Sequence, residues 1–485
     1  MSGTSQFRPI LLIVGQLLVV LALSMTLPAV SDLAAANPDW EVFGFSAGVT
    51  AYVGILLILA NRGEVIALSR EQAFLLTFAS WLAVSGFGAL PFLFVGEGLT
   101  YTDAFFESVS GLTTTGSTVL TGLDTMPPGI LIWRGLLQWL GGIGIIAMAI
   151  AVFPYLRVGG MQLFRLESSD RSEKLLPRAA QLARGIFAVY LGLSLACAAA
   201  YWAAGMSPFD ALVHAMTTLS TGGFSNFDAS IGHFRQPVVE WIGVVFMILA
   251  SLPFVLYVRA LRSNPRVLWR DQQVRGFVLM LVVAITGLSL WLWVKGHFPL
   301  LESLRIVTFN VVSIVTTTGY VSSDYENWIQ GTEMIFLLLT LVGGCTGSTA
   351  GAIKVFRLQI MRRAIKRNLI RLFYPNAVLP ISFDGRQVTD DVVVSVASFM
   401  VVFVATVVAL TLAITGLGLD FLTSLSAAAT SVCNVGPGLG RIIGPTGNFS
   451  ALPDAVKWLL ALGMLLGRLE FFTLLVLILP RFWRG

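Results

Sequence analysis

Apolar residues run along this chain in stretches of helix length, broken by short polar connections. They do not form the ten-residue alternating segments that a membrane barrel requires. Ten candidate spans fall at 9–28, 43–60, 72–95, 128–154, 185–204, 237–260, 276–295, 331–353, 389–415 and 452–479. About 20 apolar residues suffice to cross the hydrocarbon core as a helix. Four connections between spans share one pattern: an acidic start, about three helical turns, then a Gly-containing polar stretch. They begin at Asp103, Asp210, Glu302 and Asp420, and their key glycines are read as Gly116, Gly222, Gly319 and Gly436. One Thr-Gly stretch alone is an ordinary turn, but four in register between apolar pairs mark an internal repeat. The pattern predicts an all-α polytopic membrane protein. Two N-terminal helices (1–71) precede four pseudo-repeats of helix, pore helix, filter loop and helix, at 72–156, 157–262, 263–371 and 372–485.

A short helix entering from one surface carries its negative dipole end into the membrane, where it favours a cation. The acidic residue at its start suits the positive end, chiefly as an N-cap, with attraction of cations to the mouth as a secondary effect. Non-helical backbone at membrane depth must be buried in protein or line a watery cavity. Glycine accepts positive φ there, and threonine hydroxyls satisfy neighbouring polar groups. Four such ribbons around one axis would replace an ion's hydration shell with carbonyl oxygens.

Composition and charge sharpen this picture. The 485 residues are 56% hydrophobic and only 12% charged, too few charges to clothe a water-facing surface. The net charge of +5 is distributed by topology. One set of connections carries Arg62 and Arg70; Arg157, Arg165, Arg171, Lys174, Arg178 and Arg184; Arg259 to Arg275; and Arg357 to Arg371. The opposite set holds isolated cations such as Arg235, Lys295, Arg441 and Lys457. The positive-inside rule then expects both termini in the cytoplasm and an even number of spans. No nucleic-acid motif accompanies the basicity. Residues 9–28 read as a retained first helix, because no cleavage site followed by a soluble domain appears. Cys197, Cys345 and Cys433 are too scattered for a disulfide framework or metal site and read as small packing residues.

The segments TTTGST (113–118), STGGFS (220–225), TTTGY (316–320), NVGPGLG (434–440) and WRGLLQWLGGIGI (133–145) resemble the TrkH/TrkG/KtrB superfamily of K⁺ transporters over nearly the whole chain. That resemblance implies that each repeat corresponds to one subunit of a tetrameric K⁺ channel. It implies K⁺ binding by the carbonyls of Thr114, Thr115, Ser220, Thr221, Thr317, Thr318, Asn434 and Val435, beside Gly116, Gly222, Gly319 and Gly436. Relatives that pass Na⁺ often carry Ser in the first loop, so Gly116 argues for K⁺. The second and fourth loops depart from a TVGYG-like pattern, which implies an asymmetric and less selective filter.

Four glycines within Gly343, Gly344, Cys345, Thr346, Gly347, Ser348, Thr349, Ala350 and Gly351 disfavour a continuous helix by about 1 kcal/mol each relative to Ala. Lys354 follows. A small-residue packing face is one reading; the family resemblance implies a loop that plugs the pore below the filter. Arg468 lies within the last span, where a charge is costly and must be paired or face water. It is either half of a buried ion pair with another helix or, as the resemblance implies, a cation facing the pore. Glu470, two residues on, points elsewhere on a helix. Arg134, near a span end, reads as a snorkelling side chain. His214, His233 and His297 are scattered, and His214 reads as a satisfied packing residue. The basic run 354–371 reads as a loop beside lipid headgroups or a docking face for a cytosolic regulator.

No catalytic constellation and no cofactor motif occurs. GGIGI and GGCTGSTAG lack the strand that a phosphate loop needs. Family resemblance implies a homodimer and a cytosolic ring of Rossmann-type, TrkA-like nucleotide-binding subunits. The sequence predicts K⁺ uptake across a bacterial inner membrane. A Na⁺-permeable or H⁺/Na⁺-coupled symporter is the alternative, and a polytopic membrane enzyme a remote one.

Overall fold

A computed structural model of the chain describes residues 4–63, 68–95, 98–151, 160–161, 175–262 and 264–483. Arg157, Arg165, Arg171 and Lys174, and the expected boundary between residues 156 and 157, lie outside them. Among the described residues seven helices are long and apolar enough to cross a membrane: Phe7–Ala34, Trp40–Ala60, Arg70–Phe94, Pro128–Ala149, Gln181–Ala203, Gln272–Val294 and Asp390–Gly416. The fold is mostly helical and polytopic. Exposed Leu, Val and aromatic side chains along these helices, such as Leu23, Tyr52, Val283 and Val401, form the apolar exterior that lipid requires.

Three expected spans are not continuous helices. Residues 237–260 form Pro237–Ala250 and Phe254–Arg262, bent by 87°. Pro253 supplies the cause, because it lacks an N–H and disfavours helix at the residue before it. Residues 452–479 form Asp454–Arg468 and Phe472–Ile478, bent by 113°. This break has no proline. Glu470 and Phe471 adopt φ of 62° and 40°, and the Glu470 carboxylate is held by Arg357 on another helix. Residues 331–353 split into a helix Thr332–Thr340 and a non-helical stretch through the glycines.

The basic run read as a loop is instead a helix, Val355–Phe373. After it comes a hairpin that an all-α reading does not include: β1 (Ile381–Phe383) pairs antiparallel with β2 (Arg386–Val388), Ile381 opposite Val388. The Asp384-Gly385 turn has both φ positive, at 47° and 78°, as a two-residue hairpin loop requires. Ile381, Phe383 and Val388 pack with Phe356, Ile360 and Val396 in a small core separate from the main one.

Four short helices are buried among the long ones: Tyr101–Leu112, Pro208–Leu219, Leu300–Val315 and Phe421–Cys433. Below, the side on which these pore helices begin is called the top.

Candidate ion pathway

Local sequence fixes how each pore helix starts. Thr100 and Asp103 form a reciprocal capping box, with the Asp103 amide donating to Thr100 Oγ1 at 3.2 Å. The Asp210 amide donates to Ser207 Oγ at 3.0 Å, and the Thr423 amide to Asp420 Oδ2 at 3.0 Å. Asp420 is therefore a true N-cap, while Asp103 and Asp210 sit in the first turn. Glu302 makes no cap; it lies 4.0 Å from Arg305, which pairs more closely with Glu240 at 2.5 Å. Asp103 is turned away from a free mouth by Lys457, whose Nζ donates to it at 2.6 Å.

Each pore helix ends in the same backbone figure. A residue in the left-handed region is followed two positions later by a glycine with positive φ: Thr114 (53°) and Gly116 (85°), Thr221 (53°) and Gly223 (74°), Thr317 (59°) and Gly319 (79°), Asn434 (56°) and Gly436 (109°). The amide after the left-handed residue bonds back into the pore helix in every repeat: Thr115 to Ser110, Gly222 to Thr217, Thr318 to Ser313, Val435 to Thr430. This register corrects the second repeat by one residue. Gly223, not Gly222, matches Gly116, and the carbonyl pair matching Thr114 and Thr115 belongs to Thr221 and Gly222 rather than to Ser220 and Thr221.

The four glycines close a ring. A Cβ on Gly116 would overlap the carbonyl oxygen of Gly222; on Gly223, that of Thr318; on Gly319, that of Val435. On Gly436 it would approach the Thr115 carbonyl oxygen to 2.8 Å. Each repeat thus packs its glycine on the carbonyl just before its neighbour's glycine, in chain order and back to the first. No side chain larger than hydrogen fits three of the four positions. The ring is not uniform. Gln138 Nε2 donates to the Gly222 carbonyl at 2.7 Å, and Gln138 Oε1 accepts from the Phe224 amide at 3.1 Å. Asn434 Nδ2 donates to Thr115 Oγ1 and to the Met464 carbonyl, both at 3.0 Å.

Behind the ring lies a buried polar shell. Arg134, expected to snorkel, is 1% exposed and pairs with Glu107 at 2.8 Å. The same guanidinium donates to the Ser225 carbonyl at 2.8 Å and Thr118 Oγ1 at 3.2 Å, and it stacks 4.1 Å from the Phe224 ring. Glu107 also accepts from the Val119 amide at 3.0 Å. One buried ion pair therefore fixes the segments after two filter loops. The signal for it was Glu107, a carboxylate within an apolar pore helix that has to find a cation. His214 is a satisfied packing residue, bonded to the Asp210 carbonyl at 2.8 Å and Ser225 Oγ at 3.0 Å.

Above the ring a cavity of about 310 Å³ opens, lined by Gly116, Gly223, Gly319 and Gly436 at its floor and by Asp228, Thr446 and Asn448 among others. Below, the glycine-rich loop crosses beneath the glycine ring. Its two limbs join through the Gly343 amide and Ile353 carbonyl at 2.9 Å. The Gly351 amide donates to Thr317 Oγ1 at 2.7 Å, and the Ala352 amide to the Cys433 carbonyl at 2.9 Å. The loop also docks on the 87° bend. The Cys345 amide donates to Ser251 and the Thr349 amide to Ala250, while the Phe254 amide donates to Gly347. The Thr346 amide is held by Gln273 Oε1 at 2.9 Å, and Ser348 Oγ donates to the Cys345 carbonyl at 2.6 Å.

Arg468 has no carboxylate partner among the described residues. Its Nη1 donates to the Thr349 carbonyl at 2.9 Å, while Nε and Nη2 are buried without hydrogen-bond partners. Lys354 Nζ donates to the Ala350 carbonyl. Both line, with Gly347, Ser348, Phe399 and Phe403, a cavity of about 20 Å³, room for roughly one water. Arg357 in the following helix is buried, paired with Glu470 and stacked 3.6 Å from the Phe399 ring. Sequence reasoning missed this pair, since Glu470 gains its direction only from the 113° bend.

The family model of a cation transport protein, TrkH, matches residues 46–484. The chain is 47% identical over 480 residues to the Trk system potassium uptake protein TrkI of Halomonas elongata, covering 99% of this chain and 97% of that one. It is 37% identical to Trk system potassium uptake protein TrkH of Escherichia coli, covering 99% of each. The crystal structure of the potassium transporter TrkH from Vibrio parahaemolyticus superimposes with a TM-score of 0.92 at 36% identity, covering 99% of this chain and all of that one. The chain belongs to the TrkH family of cation transport proteins.

Proposed function

We propose that this chain is the pore subunit of a K⁺ uptake system in a bacterial inner membrane, multi-pass with both termini cytoplasmic. K⁺ is held by carbonyls of four filter segments, Thr114–Gly116, Thr221–Gly223, Thr317–Gly319 and Asn434–Gly436. The observation that carries this reading is the closed ring of glycines on neighbouring carbonyls. Backbone carbonyls around one axis substitute for the hydration shell of a monovalent cation. The names of relatives at 37% and 47% identity support K⁺ as that cation. The four pseudo-repeats, each supplying one segment, are part of the same proposal.

Flux is controlled below the filter by the loop from Gly343 to Lys354 and by Arg468. The contrast between about 310 Å³ above the ring and about 20 Å³ below supports a closed state, with the loop as obstruction. A mid-membrane guanidinium beside that obstruction adds an electrostatic barrier to cations. The loop's bonds to both the filter and the 87° bend support control by movement of that bend. A cytosolic Rossmann-type, TrkA-like nucleotide-binding ring would act from the bottom face, and the subunit would work as a homodimer.

Complementation tests the reading. Expressed in a bacterium lacking its own K⁺ uptake, the chain should restore growth at low K⁺, and Gly116→Ser should reduce that rescue. Absence of rescue by folded, membrane-inserted protein together with its regulator contradicts the proposal.

A further inference from the structure

At the bottom face a cavity of about 380 Å³ is lined by Gln272, Arg275, Gln359, Arg362, Arg363 and Lys366. We infer that it binds the phosphate headgroup of an anionic phospholipid and that this headgroup ties helix Gln272–Val294, whose Gln273 holds the gate loop, to helix Val355–Phe373, which directly follows that loop. Four cations and two amides line the space, with no carboxylate among them. None of the four cations forms an ion pair among the described residues. Two are held in place by neutral acceptors. Arg275 donates to the Trp269 carbonyl at 2.8 Å and the Arg270 carbonyl at 2.9 Å. Arg363 donates to Gln272 Oε1 at 2.7 Å and to the Ser382 carbonyl. Arg362 and Lys366 are exposed one turn apart on the same helix face. Uncompensated, positioned cations around a small cavity suit a phosphate.

The surroundings select a lipid. Helix Val355–Phe373 exposes Ile365, Leu369, Leu372 and Phe373 beside and C-terminal to Arg362 and Lys366, and Trp269 is exposed beside Arg270. A helix with a basic stripe next to an apolar one lies in the membrane interface, where it meets anionic headgroups. The buried Oε1 of Gln359 has no hydrogen-bond partner; it offers an acceptor to a headgroup hydroxyl, as in phosphatidylglycerol.

The site adjoins the gate loop on both sides. Gln273, next to Gln272, holds the Thr346 amide, and Gln359 Nε2 donates to the Gln272 carbonyl at 2.8 Å. Gln359 lies half a turn beyond Arg357, the partner of Glu470. Binding stands on the cavity alone; the effect on flux rests on the gate reading above.

The test uses the full chain in vesicles of phosphatidylcholine with or without phosphatidylglycerol. Native mass spectrometry reads retained lipid and Rb⁺ flux reads the gate. The wild type should retain phosphatidylglycerol and change its flux when that lipid is present. Arg362→Gln/Lys366→Gln should weaken retention by roughly 30-fold and remove the flux response. Arg362→Lys/Lys366→Arg should keep both, which separates charge from folding. Equal retention by wild type and the neutral variant overturns the site. Lost retention with an unchanged flux response overturns the link to the gate. An effect of inorganic phosphate in neutral vesicles equal to that of the lipid makes free phosphate the ligand and overturns the lipid assignment. Unchanged lipid retention with lost binding of the cytosolic regulator assigns the basic face to that protein and likewise overturns the proposal.

Discussion

The carbonyl oxygen of Thr318 occupies the space in which a Cβ on Gly223 would have to sit. Gly223 also has φ of 74°, a conformation that costs an L-residue about 1 kcal/mol or more. Gly223→Ala should therefore reduce Rb⁺ uptake at least tenfold, because its only relief is movement of the filter backbone. Gly222 differs: its added methyl would meet the Gln138 side chain. Gly222→Ala should lose activity that Gln138→Ala partly restores, while Gln138→Ala should not rescue Gly223→Ala. Equal rescue of both in the uptake assay would contradict the register.

The Glu107–Arg134 pair predicts a non-additive stability pattern. Removing one partner strands a buried charge, so Arg134→Met or Glu107→Leu alone should cost about 3–5 kcal/mol. The double variant should cost less than the sum, a coupling that a double-mutant cycle on thermal unfolding in detergent detects. Additive losses would mean that the pair does not hold the post-filter segments together.

How far the sequence reaches is visible at these same residues. The apolar runs and the fourfold recurrence of Thr and Gly made the architecture legible, because both are periodic and local. Gly222 and Gly223 are adjacent and identical in type, so only the point where the helix Pro208–Leu219 ends decides which one enters the ring. Arg134 looked like a snorkelling residue because its distance from a span end is local information, whereas Glu107 is 27 positions away. The 87° bend follows from Pro253, which the apolar pattern masks. The 113° bend has no such local mark, since the Arg357–Glu470 pair that accompanies it joins residues 113 positions apart. The Asp384-Gly385 turn signal lies beyond the basic run 354–371 and before the span 389–415, in a connection that neither the apolar pattern nor the charge pattern interprets.

Arg468 predicts a gain of function. Its guanidinium donates to the Thr349 carbonyl and lines the cavity of about 20 Å³ without a partner for Nε and Nη2. Arg468→Ala should raise basal Rb⁺ flux several-fold in the absence of a regulator, and Arg468→Lys should stay near the wild type. Unchanged basal flux in Arg468→Ala would place the barrier elsewhere.

The top surface predicts an acid limit. Asp420 lies outside the spans, and hydrogen bonds from Thr423 hold its carboxyl below the ordinary carboxylate range. A depressed folded-state pKa gives stability that is complete above the unfolded value and is lost as pH falls through the folded one. Asp420→Asn should flatten the loss of thermal stability below about pH 4, since Asn still caps but does not titrate. An unchanged acid limb in melting curves would remove Asp420 from that role.

The proposed four-segment K⁺ filter is tested most directly by the reversal potential of the purified protein in a planar bilayer with K⁺ on one side and Na⁺ on the other. With the gate relieved by Arg468→Ala, the reversal should lie toward the K⁺ equilibrium potential. It should move toward zero when Gly116→Ser is added, because that side chain would collide with the Gly222 carbonyl. A reversal at zero before any filter change, or one unmoved by Gly116→Ser, would contradict K⁺ selection by this ring.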